Sequence, residues 1–255
     1  MAANDPGQPA LNGASWSRDL AVPTVALAVG AHPDDVEFGA GGTLAKWAAA
    51  GCTVHHLVCT DGSKGTWDVD ADLPALVGRR RHEQREAARR LAGANAGEVV
   101  FLGRVDGDLT ADRDTLSAVV RIVRTLRPDV VLGHDPWKRY RLHPDHRNAG
   151  LLVCDAIVAA RDPHFFPEHG VAHHRPHALL LWEADEPDHA EDVTDHVDAK
   201  LAALEAHESQ FESTMHAVDG SALEPFRTRI RARLAELGGP HDLAAAEVFA
   251  LMTDL

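Results

Sequence analysis

Short apolar runs alternate along this chain with longer stretches in which apolar residues recur at helical spacing. The apolar runs are typical of buried strands and lie at residues 24–29, 53–59, 98–102, 129–132 and 178–182. The helical stretches lie at residues 42–50, 77–91, 115–126, 143–160, 197–211 and 224–237. Strands and helices that alternate in this way predict an α/β fold, with a mostly parallel sheet flanked by crossover helices.

Neither an internal repeat nor an interdomain linker interrupts this pattern, so the sequence predicts a single domain over residues 21–255. Residues 1–20 are rich in Gly, Pro, Asn and Ser and contain no apolar signal core, which predicts a flexible N-terminal tail and no export signal. The last residues, 243–255, are apolar enough to pack on the body of the domain. We expect substrate recognition in two long irregular segments, 61–76 and 161–176, because such loops are uncommon without a purpose.

Composition and charge narrow the class of protein. The net charge of -14 over 255 residues argues against a nucleic-acid-binding surface, which usually needs a basic patch. No apolar run approaches the roughly 20 residues of a membrane helix, so we expect no membrane span. The three cysteines, at positions 52, 59 and 154, lie in predicted core elements and make no disulfide framework, which indicates a reduced, cytoplasmic protein.

Two clusters of His and Asp follow two of the predicted strands. His32, Asp34 and Asp35 come directly after the first strand, and the sequence His-Pro-Asp-His at residues 143–146 follows the fourth. In an open α/β sheet, ligands bind at the carboxyl ends of the strands. We therefore expect the two clusters to meet at one edge of the sheet.

Together the clusters offer His32, Asp35 and His146 as a set of metal ligands. Three protein ligands with one open position are the arrangement of a catalytic zinc site, whereas structural zinc sites usually fill all four positions. Nitrogen and oxygen donors without thiolates suit zinc, although iron or cobalt could also fit. The alternative is that each His-Pro-Asp sequence is only a turn and a helix N-cap. Two such clusters at two strand ends favour metal binding.

The other polar residues of the clusters are candidates for proton transfer. Asp34 is the candidate general base, because a carboxylate that does not bind the metal can take a proton from the attacking water. The alternative for Asp34 is an acid that only stabilises the N-terminus of the following helix. His143 is the candidate for stabilising the oxyanion or protonating a leaving amine, and Asp145 is expected to orient its imidazole. The alternative is that Asp145 caps a helix and His143 is solvated.

An ordered set of motifs between residues 25 and 249 resembles the PIG-L (LmbE-like) family of zinc-dependent deacetylases, which act on N-acetylglucosamine-type amides. The matching motifs are Ala-His-Pro-Asp-Asp at 31–35, Gly-Gly-Thr-Leu at 41–44, Asp-Gly at 61–62, the helical run 80–93, Phe-Leu-Gly at 101–103, Asp-Gly at 106–107, Arg-Pro-Asp at 127–129, His-Pro-Asp-His at 143–146, Lys200, residues 206–210 and residues 246–249. The resemblance implies a Rossmann-like fold, in agreement with the alternation of strands and helices.

The resemblance also implies roles for individual residues. It implies that His32, Asp35 and His146 bind zinc. It also implies that Asp34 is the general base and that His143 and Asp145 support the transition state. Arg80 or Arg81 resembles an arginine that holds the sugar, and the alternative for both is a solvated helix face. The chain departs from the family pattern in having Val36 before Glu37. The sequence leaves the role of Tyr140 open, and it does not decide whether His189, His207 or His216 reaches the site.

These observations predict a zinc-dependent hydrolase that removes an N-acetyl group from an N-acetylglucosamine-type amino sugar or conjugate. One alternative is a zinc amidase that acts on another N-acylated or thiol-conjugated small molecule. A second is a nucleotide-binding α/β module that holds phosphate with Gly39, Gly41 and Gly42, although the full Gly-x-Gly-x-x-Gly spacing is absent. A third is a binding protein that has lost activity. The sequence does not name the acetylated substrate, and the resemblance makes a homo-oligomer an expectation.

Overall fold

Eight strands form one sheet in the computed structural model, which describes residues 16–255. The strands are β1 (Ser17–Arg18), β2 (Val25–Gly30), β3 (Thr53–Thr60), β4 (Ala96–Arg104), β5 (Val130–His134), β6 (Ala178–Trp182), β7 (His189–Asp192) and β8 (Ala246–Met252). Their order across the sheet is β1-β7-β8-β6-β5-β2-β3-β4. Strand β8 runs antiparallel to both of its neighbours, and the other neighbouring strands are parallel. The predicted mostly parallel α/β sheet is confirmed.

Helices cover both faces of this sheet. Within the described residues they are α1 (Asp35–Ala49), α2 (Leu73–Ala92), α3 (Arg113–Leu126), α4 (Pro144–Arg161), α5 (Val197–Leu204) and α6 (Glu224–Gly238). Helices α1 and α2 bury Leu44 and Leu91 against one face, and α3 and α4 bury Val120 and Leu152 against the other. The burial of these apolar faces is the main force that holds the layers together.

Helices α1 and α5 differ most in extent from their predicted ranges. Helix α1 begins at Asp35 instead of near Gly42, and a kink at Ala40 joins its two helical segments. Gly39 lies so close to the indole of Trp182 that a Cβ atom at this position would overlap the ring. Close packing against Trp182 therefore requires a glycine here. The glycines obscure the helical pattern because they contribute no apolar side chain. Helix α5 ends at Leu204 instead of residue 211, and short 3₁₀ and π turns follow.

The first and the last strand of the described chain, β1 and β8, both lie near the same edge of the sheet. Residues 243–255 were predicted to pack on the body, and β8 in this segment inserts between β6 and β7. Of the predicted tail, residues 1–15 lie outside the described part, whereas Ser17 and Arg18 pair with β7. Over residues 16–255, none of the helices combines the length and the apolar character that crossing a membrane would require.

The order of the strands reverses between β2 and β5. The chain proceeds outward from β2 to β3 and β4 on one side, and from β5 to β6 on the other. Neighbouring loops therefore leave in opposite directions at the carboxyl ends of β2 and β5, which opens a crevice. The two polar clusters follow these two strands, so the topology brings them to the same crevice.

Candidate active site

A cavity of about 620 Å³ lies in this crevice and receives both polar clusters. His32, Asp34 and Asp35 enter from the loop after β2 and the start of α1, and His143 and His146 enter at the start of α4. The expectation that the clusters share one edge of the sheet agrees with this arrangement. Arg80, Asp106 and His134 also line the cavity.

The three predicted metal ligands lie close together around the Asp35 carboxylate. One oxygen of Asp35 is 3.4 Å from Nδ1 of His32, and the other is 3.3 Å from Nε2 of His146. Two imidazoles and one carboxylate are donors of the kind that zinc takes in catalytic sites. The chemistry of the donor set therefore suits a zinc ion, while the assignment of these three residues as ligands stays a prediction.

Two carboxylates hold the far side of the His32 imidazole. Nε2 of His32 lies 3.1 Å from Asp145 and 3.3 Å from Asp106. Burial alone would lower the pKa of His32, but Asp106, Asp145 and Asp35 outweigh it and raise this pKa to about 12. A carboxylate on the outer nitrogen of an imidazole is the usual support of a metal-binding histidine, because it accepts the N–H of that nitrogen and orients the ring; a metal ion on the inner nitrogen would displace the proton there.

The position of Asp145 corrects one sequence-based expectation. Its carboxylate was predicted to orient His143, but it lies against His32 and accepts backbone hydrogen bonds from Gly107 and Leu109 at 2.6 and 3.2 Å. The alternative, that Asp145 caps α4, is also wrong, because the residue at the cap is His143. Asp145 is fully buried, and its carboxylate joins His32 to the loop after β4.

Asp34 is buried beside the predicted ligands and has a strained backbone. Its φ of 103° lies in the left-handed region, which is costly for a residue other than glycine. The backbone N–H of Asp34 donates to Gln84 at 2.9 Å, and the carboxylate lies 3.5 Å from the guanidinium of Arg80. Asp34 stands at the N-cap position of α1, and its side chain makes no cap hydrogen bond there. Burial raises the pKa of Asp34 to about 6 against the opposing effect of Arg80.

His143 presents one nitrogen to the cavity. Its Nδ1 accepts a hydrogen bond from the backbone N–H of Asp145 at 3.3 Å, so the proton of the neutral ring lies on Nε2. Burial lowers the pKa of His143, which favours this neutral form. The ring also stacks on His146, with centroids 4.6 Å apart and planes 15° apart. The arrangement makes His143 a hydrogen-bond donor at the edge of the cavity.

The two candidate arginines point in different directions. Arg80 is buried, lines the cavity and donates hydrogen bonds to the carbonyls of Gly62 and Pro33 at 2.8 and 2.7 Å. Its neighbour Arg81 lies over the ring of Phe101 and does not line the cavity. The solvated-face alternative is therefore wrong for Arg80. The expectation that Arg81 holds substrate does not agree with its position on the other side of α2.

His134 and Asp106 both line the cavity, although neither was a predicted site residue. His134 is the last residue of β5, and its Nε2 lies 3.1 Å from Asp35. The available signal was the same as for His32, namely a polar residue at the carboxyl end of a buried strand. Asp106 stands in one of the family motifs and follows β4, whose end also reaches this edge of the sheet. Because the chain contains many histidines, a single one such as His134 did not stand out as a candidate site residue.

The backbone N–H groups at the glycine-rich turn, which the nucleotide-binding alternative assigns to phosphate, bind a carboxylate of the chain itself. The backbone N–H groups of Gly42 and Thr43 donate to the two oxygens of Glu247 at 2.9 and 2.8 Å. Glu247 is paired with Lys200 at 2.6 Å, and both are buried. A carboxylate of the chain itself thus occupies the donors that a phosphate would need, which disfavours nucleotide binding at this turn.

The structure also places the residues whose roles the sequence left open. His207 is buried behind the site, 3.4 Å from Glu37, and His189 is buried in β7 beside Glu191. Neither these two histidines nor His216 lines the cavity, as far as the described residues define it. Tyr140 is 88% exposed and is likewise not part of that lining.

Comparisons of the sequence with known proteins agree with one another. The sequence profile of the PIG-L family, described as GlcNAc-PI de-N-acetylase, matches residues 27–157. A diacetylchitobiose deacetylase from Thermococcus kodakarensis is 36% identical over 188 residues, which cover 72% of this chain and 69% of that protein. A 1D-myo-inositol 2-acetamido-2-deoxy-α-D-glucopyranoside deacetylase from Saccharopolyspora erythraea is 36% identical over 166 residues, which cover 56% of this chain and 60% of that protein.

A solved structure extends the similarity to most of the chain. The N,N'-diacetylchitobiose deacetylase from Pyrococcus horikoshii matches 91% of this chain and 84% of its own, with a TM-score of 0.81 and 28% sequence identity. A match over 91% of the chain extends well beyond the segment matched by the family profile, residues 27–157. The polar clusters at residues 32–35 and 143–146 both fall inside that segment.

Proposed function

This chain belongs to the PIG-L family, and we propose that it is a zinc-dependent deacetylase that hydrolyses the N-acetyl group of an N-acetylglucosamine-type sugar or conjugate. The similar proteins are named as deacetylases of acetylated amino sugars. The observation that carries the proposal is the meeting of two imidazoles and two carboxylates at one end of the cavity, from His32, His146, Asp34 and Asp35. This donor set suits metal-assisted hydrolysis of an amide.

His32, Asp35 and His146 are the residues that would hold the zinc ion. When bound, zinc supplies Lewis acidity, since it polarises a carbonyl and lowers the pKa of a bound water to about 7. Asp145 and Asp106 keep the His32 ring oriented through its outer nitrogen. The backbone N–H of His32 donates to Asp35 at 2.7 Å and fixes that carboxylate.

Asp34 is the group that takes the proton of the attacking water. It lies next to Asp35 in the chain and lines the same cavity, and its pKa of about 6 leaves it ionised near neutral pH while making it a stronger base than an ordinary aspartate. Arg80 contacts the Asp34 carboxylate at 3.5 Å and orients it. The Asp34 side chain makes no hydrogen bond to the N-terminus of α1, so its carboxylate stays available to the cavity.

His143 is the hydrogen-bond donor for the acetamide. Its Nε2–H faces the cavity because its Nδ1 accepts from the Asp145 backbone. A donor that is already in place at the carbonyl oxygen stabilises the negative charge as it develops there. The nitrogen of the amide must gain a proton before the amine leaves, and Asp34 holds the proton it took from water. The products are acetate and the free amine.

The test of the proposal is acetate release from a panel of N-acetylated compounds. The panel contains N-acetylglucosamine, diacetylchitobiose, an N-acetylglucosaminyl inositol, and N-acylated amides without a sugar, including one thiol conjugate. We expect turnover of at least one acetylated amino sugar, loss of turnover with a chelator, and recovery on addition of zinc. Turnover confined to the amides without a sugar would instead support the amidase alternative. Turnover that a chelator does not change would contradict the requirement for a metal.

Replacement of Arg80 tests the wall of the cavity. We expect Arg80→Ala to lower kcat/KM by about 10–100-fold, because hydrogen bonds from a charged group contribute about 1.5–3 kcal/mol. Those bonds order the Gly62 and Pro33 carbonyls beside Asp34. Steady-state kinetics on the preferred substrate measures the change, with thermal melting as a check on folding. The matched control is Arg81→Ala, which leaves the cavity lining intact and is expected to change kcat/KM less than about threefold. Equal losses in the two variants would contradict the assignment of Arg80.

Self-association stays a prediction. Sedimentation velocity on the purified protein measures its oligomeric state directly.

A further inference from the structure

His134 connects two of the predicted metal ligands. It is 2% exposed and lies at the carboxyl end of β5. Its Nε2 is 3.1 Å from an oxygen of Asp35, and its ring is stacked on His146, with centroids 4.3 Å apart and planes 13° apart. Its other nitrogen, Nδ1, accepts a hydrogen bond from the indole N–H of Trp182 at 2.9 Å.

The Trp182 contact determines where the proton of His134 lies. An indole nitrogen is always a donor, so Nδ1 of His134 must present its lone pair. Arg141, which is also always a donor, has Nη1 at 3.3 Å from the same nitrogen. The neutral ring therefore carries its proton on Nε2, the nitrogen that faces Asp35. A protonated nitrogen has no lone pair to offer a metal, although Asp35, His134 and His146 lie within the spacing of a metal-binding group.

The oxygens of Asp35 have different surroundings. Oδ2 accepts the backbone N–H of His32 at 2.7 Å and is also the oxygen that faces His134. Oδ1 faces Nε2 of His146 at 3.3 Å. The hydrogen bond from His32 and the close contact with Nε2 of His134 restrain the rotation of the carboxylate, which then presents Oδ1 to an ion at a defined position.

We propose that His134 is a positioning residue of the metal site, which holds Asp35 by the electrostatic attraction between its Nε2–H and the carboxylate and the ring of His146 through stacking, and does not itself bind the metal. Trp182 supports this role of His134, because its indole N–H donates to Nδ1 and keeps the proton of the ring on Nε2, which faces Asp35. The inference rests on the proposed function, because it takes His32, Asp35 and His146 as the zinc ligands.

Zinc affinity of three variants tests the proposal, with a chelating dye as competitor. His134→Leu removes the donor, and we expect the Kd for zinc to rise by about 10–100-fold, the usual effect of residues that orient metal ligands. His134→Gln keeps an N–H group near the position of Nε2, and its Kd is expected to stay within about threefold of wild type. Trp182→Phe removes only the donor to Nδ1, and we expect a rise of about 2–10-fold. The matched control is His189→Leu, which removes a fully buried histidine in β7, away from the site, and should leave the Kd unchanged.

X-ray absorption on the zinc-loaded proteins separates positioning from ligation. We expect the same number of imidazole ligands in wild type and in His134→Gln. One imidazole fewer in the variant, or wild-type zinc affinity in a folded His134→Leu, would overturn the proposal. If His134→Leu does not fold, the ligand count of His134→Gln and the affinity of Trp182→Phe decide the question. A wild-type protein that binds no zinc would refute the proposed function and this inference with it, whereas the other outcomes refute the inference alone.

Discussion

Asp34→Asn is expected to lower kcat by about 10²–10⁴-fold while the content of bound zinc stays unchanged. The substitution keeps the size and shape of the side chain and removes its capacity to take a proton. The amide oxygen can still accept from Arg80, which lies 3.5 Å from the carboxylate in the native protein. The fold and the metal site are therefore expected to survive, and the loss should fall on the chemical step. Steady-state kinetics and metal analysis on the same preparation measure both quantities.

A surface variant separates this effect from the loss of a negative charge. Asp108 is an exposed residue after β4, its side chain is 73% exposed, and Asp108→Asn is expected to leave kcat within about threefold of wild type. Near-normal turnover in Asp34→Asn with zinc retained would contradict the role of Asp34 as base. Loss of zinc together with turnover would instead indicate that Asp34 takes part in binding the metal.

His146→Ala is expected to remove the metal. Nε2 of His146 is 3.3 Å from Asp35, and the ring is the only predicted ligand from the second cluster. Residues that only orient a metal ligand change affinity by about 10–100-fold, so the loss of a ligand should weaken zinc binding by more than about 100-fold. Turnover without added zinc should fall to background, because neither the carbonyl nor the attacking water would then be activated.

Metal analysis after dialysis and titration with a competing dye measure this loss. The matched control is His174→Ala, which removes another partly buried histidine, one that lies 2.8 Å from the Pro128 carbonyl. It is expected to retain full zinc content and activity. A zinc stoichiometry in His146→Ala equal to that of wild type would exclude His146 from the ligand set.

The agreement between the sequence-based fold and the observed fold depends on the strength of local patterns. The strand predicted at residues 178–182 is β6, residue for residue, because five apolar residues in a row are buried on both faces of the sheet. Strand β7, with the sequence His-Ala-Glu-Asp, escaped prediction because it is short and mostly polar. Polar residues of β7 pair with residues far away in the sequence, as Glu191 does with Lys46. The local sequence pattern does not predict such ion pairs.

The α/β alternation and the two His/Asp clusters at strand ends follow from the amino-acid sequence, because hydrophobic periodicity is a local property of the chain. The pairing of these side chains follows from the three-dimensional arrangement. Asp145 lies against His32, 113 positions away, and not against His143, and α2 turns Arg80 into the cavity while Arg81 points away from it. The structure alone placed His134 between Asp35 and His146. Such contacts follow from the order of the strands and from the direction in which each side chain leaves its strand or helix, and neither is written in the spacing of residues along the chain.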